Sequence, residues 1–105
     1  MNDISKRDWK LFREKLPKWQ EAYMERLCKE YIELLNGDAP ASEKFWALEK
    51  RIKEDRRKPG VIVSISRSEL TYIILGLLRD GAITEKDLED FSEEFQEQIL
   101  YIYNL

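Results

Sequence analysis

The fold of this chain is decided by residues 66–78, which read Ser66-Arg67-Ser68-Glu69-Leu70-Thr71-Tyr72-Ile73-Ile74-Leu75-Gly76-Leu77-Leu78. Ser66 and Glu69 match the Ser-x-x-Glu capping box that opens helices. The large apolar residues behind the box recur at helical spacing, and they are Leu70, Ile73, Ile74, Leu77 and Leu78. Because this is the most apolar segment of the chain, we predict a central, buried helix that ends at Asp80-Gly81.

A first helix is predicted to begin at Ser5, whose side chain is a good N-cap three residues before Asp8. Trp9, Phe12 and Leu16 then share one helical face. Pro17 lacks a backbone N–H and disfavours helical geometry at the residue before it. It either kinks the helix or ends it and opens a new one, and we expect a break or a sharp kink.

Two more helical segments precede the central one. The first runs from about Pro17 to Leu35 and stops at Asn36-Gly37, where glycine can take the left-handed position. The second is expected to be capped by Ser42, and it places Phe45, Leu48 and Ile52 on one face. It turns strongly charged after Lys50 and ends at Pro59-Gly60.

The last helix is predicted behind a second capping box, Thr84 and Asp87. Its apolar residues are Leu88, Phe91, Phe95, Ile99 and Ile102. One β-branched stretch, Val61–Ile65, has no partner strand in the chain. It is a buried connector, half of a small two-stranded element, or an edge that pairs with a partner. The expected product is an all-α fold, a compact bundle of four or five helices with a short extended segment near 61–65, in a single domain of residues 1–105.

Composition excludes most enzyme chemistry. The 105 residues include no His and one cysteine, Cys28, so there is neither a His-dependent catalytic triad nor a cysteine metal cluster. No glycine-rich phosphate loop is present. Carboxylates four residues apart, such as Glu85 with Glu89, are typical of a solvated helix face. We therefore predict no enzymatic activity, no cofactor and no metal site.

Charge is divided between two zones. Residues 50–58 hold six cations and two carboxylates, a net charge of +4, whereas residues 80–97 hold eight carboxylates and one lysine, a net charge of −7. The two zones either pack near each other or offer separate surfaces to partners. The candidate partner-binding residues are Lys53, Arg56, Arg57 and Lys58 in the basic zone and Glu89, Glu93 and Glu97 in the acidic zone.

These features favour a non-enzymatic interaction or regulatory module whose partner is another protein. The alternative is a nucleic-acid-associated regulator that uses the basic helix end 50–58 to neutralise phosphates. A third possibility is a homodimer that pairs through Val61–Ile65. The longest apolar run has seven residues, too few to cross a bilayer, and no secretory signal opens the chain, so we expect a cytoplasmic protein without a membrane partner.

Several stretches resemble a family of small uncharacterised bacterial proteins. They are 4–15, the pair Trp19-Gln20 after Pro17, 30–35, 44–52 and 80–84. Proteins of this family resemble cargo of mobile genetic elements, and some carry a multidrug-transporter label that a chain without a membrane span does not fit. The resemblance supplies no catalytic residues and implies an accessory role in the cytoplasm.

Overall fold

A computed structural model describes residues 4–105 and shows four α-helices in a bundle. They are α1 (Lys6–Leu35), α2 (Ala41–Asp55), α3 (Leu70–Arg79) and α4 (Glu93–Tyr103), with 3₁₀ turns at Arg67–Glu69 and Glu85–Leu88. The predicted all-α fold is confirmed. The molecule measures 52 × 24 × 20 Å, because the 30-residue α1 runs along its length.

The predicted central helix α3 is the core of the protein. All five of its predicted core residues are buried, and Thr71 and Leu75 are buried with them. Around α3 lie side chains from the first half of α1, the turn after α3, and α4. These are Phe12, Leu16, Ile83, Leu88, Phe91, Phe95 and Ile99. Most of the apolar core therefore lies around α3.

No helix among the described residues is long and apolar enough to cross a membrane.

The predicted end of the helix at Pro17 is wrong, because α1 continues through this residue. Proline in a helix interior loses one hydrogen bond and crowds the preceding turn. Here the core packs on both sides of it: Phe12 and Leu16 are buried before Pro17, and Trp19 contacts Phe12 after it with ring centroids 6.3 Å apart. Tertiary packing thus holds the two halves of α1 in one helix.

Two of the predicted helix starts are also wrong. Ser66 does not cap α3, since its Oγ lies 2.9 Å from Ser68 Oγ and a 3₁₀ turn precedes the helix. Ser42 lies inside α2, which begins after Pro40 with no side-chain cap. The N-cap at Ser5 is confirmed, since its Oγ accepts a hydrogen bond from the Asp8 N–H at 3.0 Å.

The predicted last helix is divided into two elements. Thr84 and Asp87 form the expected box, with the Thr84 N–H donating to Asp87 Oδ2 at 2.8 Å, but they open only the 3₁₀ turn at Glu85–Leu88. The helix α4 starts afresh behind Ser92, whose Oγ accepts from the Phe95 N–H. Residue 92 is held away from helical geometry by its own capping bond.

A buried carboxylate joins the starts of α1 and α4. Asp8 is 2% exposed, and its Oδ1 accepts the Ser92 N–H at 2.9 Å while its Oδ2 accepts the Ser92 hydroxyl at 2.6 Å. Asp8 also supplies the N–H that Ser5 caps. The Asp8 backbone thus takes part in the cap of α1 while its carboxylate holds Ser92, the N-cap residue of α4, and these bonds explain why an acidic residue is buried next to the core.

The connector from α2 to α3 crosses α1 at close range. Gly60 lies against the ring of Tyr23, where a Cβ atom would overlap the ring, and the Gln20 amide donates to the Pro59 carbonyl at 2.9 Å. Val61–Ile65 forms no strand with any described residue. Val63 packs against the core while Ile62 and Ile65 are exposed. The segment is a partly buried connector, and its pairing with a partner stays a prediction.

We predict that Asp8→Ala lowers the free energy of unfolding by about 2–3 kcal/mol, because two hydrogen bonds are lost and the Ser92 donors are left without an acceptor. The measurement is urea denaturation followed by tryptophan fluorescence. Asp90→Ala is the matched control, since Asp90 makes an exposed ion pair with Lys15 and its removal should cost less than about 1 kcal/mol. Equal losses in the two variants would contradict the structural role of Asp8.

Candidate protein-binding surface on a helical arm

The second half of α1 and the whole of α2 form a hairpin that extends away from the core. We call residues 24–55 the arm. The two helices are joined by residues 36–40, and such a short loop makes them antiparallel neighbours. Among the residues of α2, Asp55 alone is buried. The apolar face predicted for this helix is therefore not a core face, since Phe45 and Ile52 are exposed and Leu48 is half-buried.

A polar cluster holds the base of the arm together. Asp55 is 3% exposed, and its Oδ2 accepts a hydrogen bond of 2.5 Å from the Tyr31 hydroxyl. Arg51 lies 3.5 Å from the same carboxylate and 3.0 Å from Glu30, and its guanidinium is 5.5 Å from the centre of the Tyr31 ring. Lys58 lies 3.4 Å from Asp55 Oδ1. The cluster fixes the end of α2 against α1 through hydrogen bonds and ion pairs.

The charges of this cluster shift the pKa values of its members. Burial works against ionisation of Asp55, but hydrogen bonds from Tyr31 and Lys58 and the nearby Arg51 outweigh it, so the pKa of Asp55 is lowered. Burial, followed by the hydrogen bond to Asp55, raises the pKa of the Tyr31 phenol. At neutral pH the cluster thus consists of an ionised carboxylate and a protonated phenol.

Large apolar side chains are exposed along the arm. We call them the arm patch, and they are Ile32, Leu35, Phe45, Trp46 and Ile52. Phe45 is 62% and Trp46 is 64% exposed, and their rings meet edge to face with centroids 4.9 Å apart. Clustered exposed side chains of this size are typical of surfaces that bind other proteins, whereas single exposed apolar residues are not informative.

An open groove of about 340 Å³ lies at the base of the arm patch and is called the arm groove. It lies between α1 and α2 beside the connector, and its lining residues are Met24, Leu27, Cys28, Tyr31, Ile52, Asp55, Arg56 and Val61. Ile32 and Leu35 follow Cys28 by four and seven residues, and Phe45 precedes Ile52 by seven. This helical spacing continues the apolar surface from the groove toward the tip of the arm.

The predicted basic residues differ in their availability. Lys53 pairs with Glu49 at 2.9 Å, and Lys58 pairs with Asp55. Arg56 and Arg57 are exposed and make no ion pair with any side chain of residues 4–105. Arg56 also lines the arm groove, so one predicted cation lies at the edge of the exposed apolar surface.

The predicted acidic residues lie on a different part of the molecule. Glu89 and Glu93 line an open cleft of about 910 Å³ between the first turns of α1 and α4, which Arg7 and Lys10 also line. Glu97 is exposed one turn further along α4 and is not part of this lining. None of the three forms an ion pair with another described residue. The basic and acidic candidates are thus on separate surfaces.

The arm patch itself was missed as a site by sequence reasoning, because Phe45 and Ile52 fit the spacing of an ordinary core face. The charged run 50–58 that follows them was the feature of the sequence that indicated a binding surface near this helix. Within residues 4–105, no three Cys, Asp or Glu side chains are grouped so that they could hold a metal ion. No protein family, curated protein or solved structure matches the chain. The resemblance to small mobile-element proteins therefore stays a prediction.

We predict that Asp55→Asn destabilises the protein at neutral pH by about 2 kcal/mol and that this difference disappears in acid. The lowered pKa means that the ionised Asp55 stabilises the fold above the ordinary Asp pKa of about 3.9, and that this contribution is lost as the pH falls through the lower folded value. The measurement is urea denaturation of both proteins at several pH values between 7 and 2. Glu21→Gln, at an exposed position of α1 before the arm, is the control and should differ from the original protein by the same small amount at each pH.

Proposed function

We propose that this protein is a non-enzymatic binding module that acts on another protein through the arm patch. The observation that carries the proposal is the cluster of exposed apolar side chains on a hairpin held in place by a polar cluster. Phe45 and Trp46 lie on a helix of a folded hairpin. Binding a partner there costs little conformational entropy, because no loop of the arm has to become ordered. Aromatic residues of this kind are enriched at the centres of interfaces.

The charges beside the patch define what kind of partner fits. Arg56 and Arg57 lie at the base of the arm, and neither is paired with a carboxylate of residues 4–105. A partner that covers the patch with apolar side chains and brings carboxylates to these two arginines gains both desolvation and charge complementarity. We further propose that the module acts in the cytoplasm, where a single free thiol at Cys28 persists.

A photo-crosslinking experiment tests the proposal in cells that produce the protein. A photoreactive phenylalanine analogue placed at position 45 should give covalent adducts with a polypeptide, and Ile52→Glu in the same chain should abolish them because it charges the apolar surface. The control position is Tyr101, which is 72% exposed but lies on α4. Absence of adducts at position 45, or equal labelling at 45 and 101, would contradict protein binding through the arm.

A second candidate function is nucleic-acid binding by the same basic end. It is supported by Arg56 and Arg57, whose guanidinium groups have no carboxylate partner among the described residues. Two adjacent free arginines neutralise phosphates and release counterions, which makes binding dependent on salt. The net charge of −3 for the whole chain works against binding of this type.

If nucleic acid is the partner, Arg56→Ala and Arg57→Ala should each reduce the slope of log binding constant against log salt by about one unit. The measurement is fluorescence anisotropy of a labelled random DNA duplex across a series of salt concentrations. Lys53→Ala is the control and should change the slope less, because Lys53 is already paired with Glu49. Unmeasurable binding at low salt would exclude this function.

A further inference from the structure

The arm has the arrangement of one half of an antiparallel four-helix bundle. Its two antiparallel helices pack along one side of each other, α2 contributes no buried apolar side chain, and the arm patch is left open. Four antiparallel helices around a common apolar seam form a stable bundle, and two copies of one hairpin supply four helices. In a two-fold dimer the same surface of each copy contacts the other copy, and most protein dimers adopt this symmetry.

We propose that the partner of the arm patch is a second copy of this chain, with the two arms packed antiparallel about a two-fold axis. The proposal rests on the proposed function, since it names the partner of the same surface. The 15 residues of α2 give an arm about 22 Å long. The axis would cross α2 between Leu48 and Glu49, midway between Phe45 and Ile52.

This arrangement places an exposed aromatic ring opposite an open groove. Phe45 and Ile52 are seven residues apart, or roughly 10 Å along the helix. With the axis midway between them, Phe45 of each copy reaches the arm groove of the other, where Ile52 and Cys28 lie. The groove of about 340 Å³ has room for an aromatic side chain and is lined mostly by apolar residues. Each copy provides one ring and one groove, so the contact is made twice.

Charge complementarity selects the antiparallel orientation. Residues 33–44 at the tip carry three carboxylates and one lysine, a net charge of −2, whereas residues 50–58 at the base carry +4. Antiparallel arms bring each tip to the base of the other copy, with Arg56 near the partner loop that contains Asp38. Parallel arms would oppose two bases of like charge, which is unfavourable.

The exposed apolar side chains of the arm and the connector supply a large part of the area of a standard interface. Aromatic side chains present about 150–250 Å² each, so Phe45 and Trp46 together expose roughly 200–300 Å² at their observed exposure. Ile32, Leu35, Ile52 and the neighbouring Ile62, which is 64% exposed, add to this area. The total approaches the roughly 800 Å² per partner of a standard interface once polar rim atoms are included.

The first test is the mass of the purified protein, measured by sedimentation equilibrium over a range of concentrations. We expect a reversible monomer–dimer equilibrium, with the dimer weakened at least tenfold by Phe45→Glu. Tyr101→Glu is the matched control and should leave the equilibrium unchanged, because it charges an exposed aromatic position outside the arm. Circular dichroism confirms that the variants remain helical. A strictly monomeric mass at high concentration would overturn the proposal.

Charge reversal tests the orientation. Arg56→Asp alone and Asp38→Arg alone should each weaken the dimer, because each places like charges together at both ends of the interface. The double variant restores opposite charges at both contacts and should recover dimer formation in low salt. If the double variant is as weak as the single ones, or if reversal has no effect, antiparallel pairing is wrong.

The remaining outcomes separate this inference from the proposed function. A dimer that resists Phe45→Glu but is lost in Ile65→Pro, a substitution at an exposed position, pairs through the connector 61–65, and that result overturns the arm dimer. Crosslinked adducts at position 45 that contain only a different protein, with a monomeric purified chain, support the proposed function and refute the second copy as partner. Adducts with twice the mass of the chain support both.

Discussion

The burial of α3 is the constraint on which the rest of the structure depends. Seven of its ten residues are buried, so it needs apolar neighbours on almost every side. The first half of α1, the 3₁₀ turn before α4 and α4 itself provide them. Many of the buried apolar side chains of the chain therefore pack around α3. The second half of α1 extends beyond the side chains that surround α3, and α2 packs against it without contributing a buried apolar residue.

Two buried carboxylates, Asp8 and Asp55, hold helices together at the two places where helices meet through polar contacts. Asp8 joins the starts of α1 and α4 beside the core, while Asp55 fixes the end of α2 at the base of the arm. Both have their oxygens occupied by donors, which is the condition under which burial of a carboxylate is tolerated. Hydrogen bonds of fixed geometry define position more narrowly than apolar contact does, so these residues set how the elements meet.

Local patterns in the sequence were sufficient for some elements and not for others. The core face of α3 and the cap at Ser5 follow from residues within one or two turns, and the structure confirms both. The continuity of α1 through Pro17 depends on Phe12 and Trp19 packing in the same core, which local propensity does not contain. Ser92 was missed as a cap because the box at Thr84 was assigned as the start of the helix, and the bond from the Ser92 hydroxyl to Asp8 joins residues 84 positions apart.

The largest difference between expectation and structure concerns Phe45 and Ile52, and its physical reason bears on function. Their spacing is that of a buried face, and a helix of this composition is amphipathic whether its apolar side meets the same chain or another one. Sequence periodicity indicates that a helix has an apolar face, but it does not indicate whether the same chain or another molecule covers that face. In this fold the α1–α2 contact and the Asp55 cluster hold α2 in place, yet neither covers that face. A helix that keeps aromatic side chains such as Phe45 and Trp46 in solvent carries an unfavourable exposure, and the partner proposed for the arm patch would remove it.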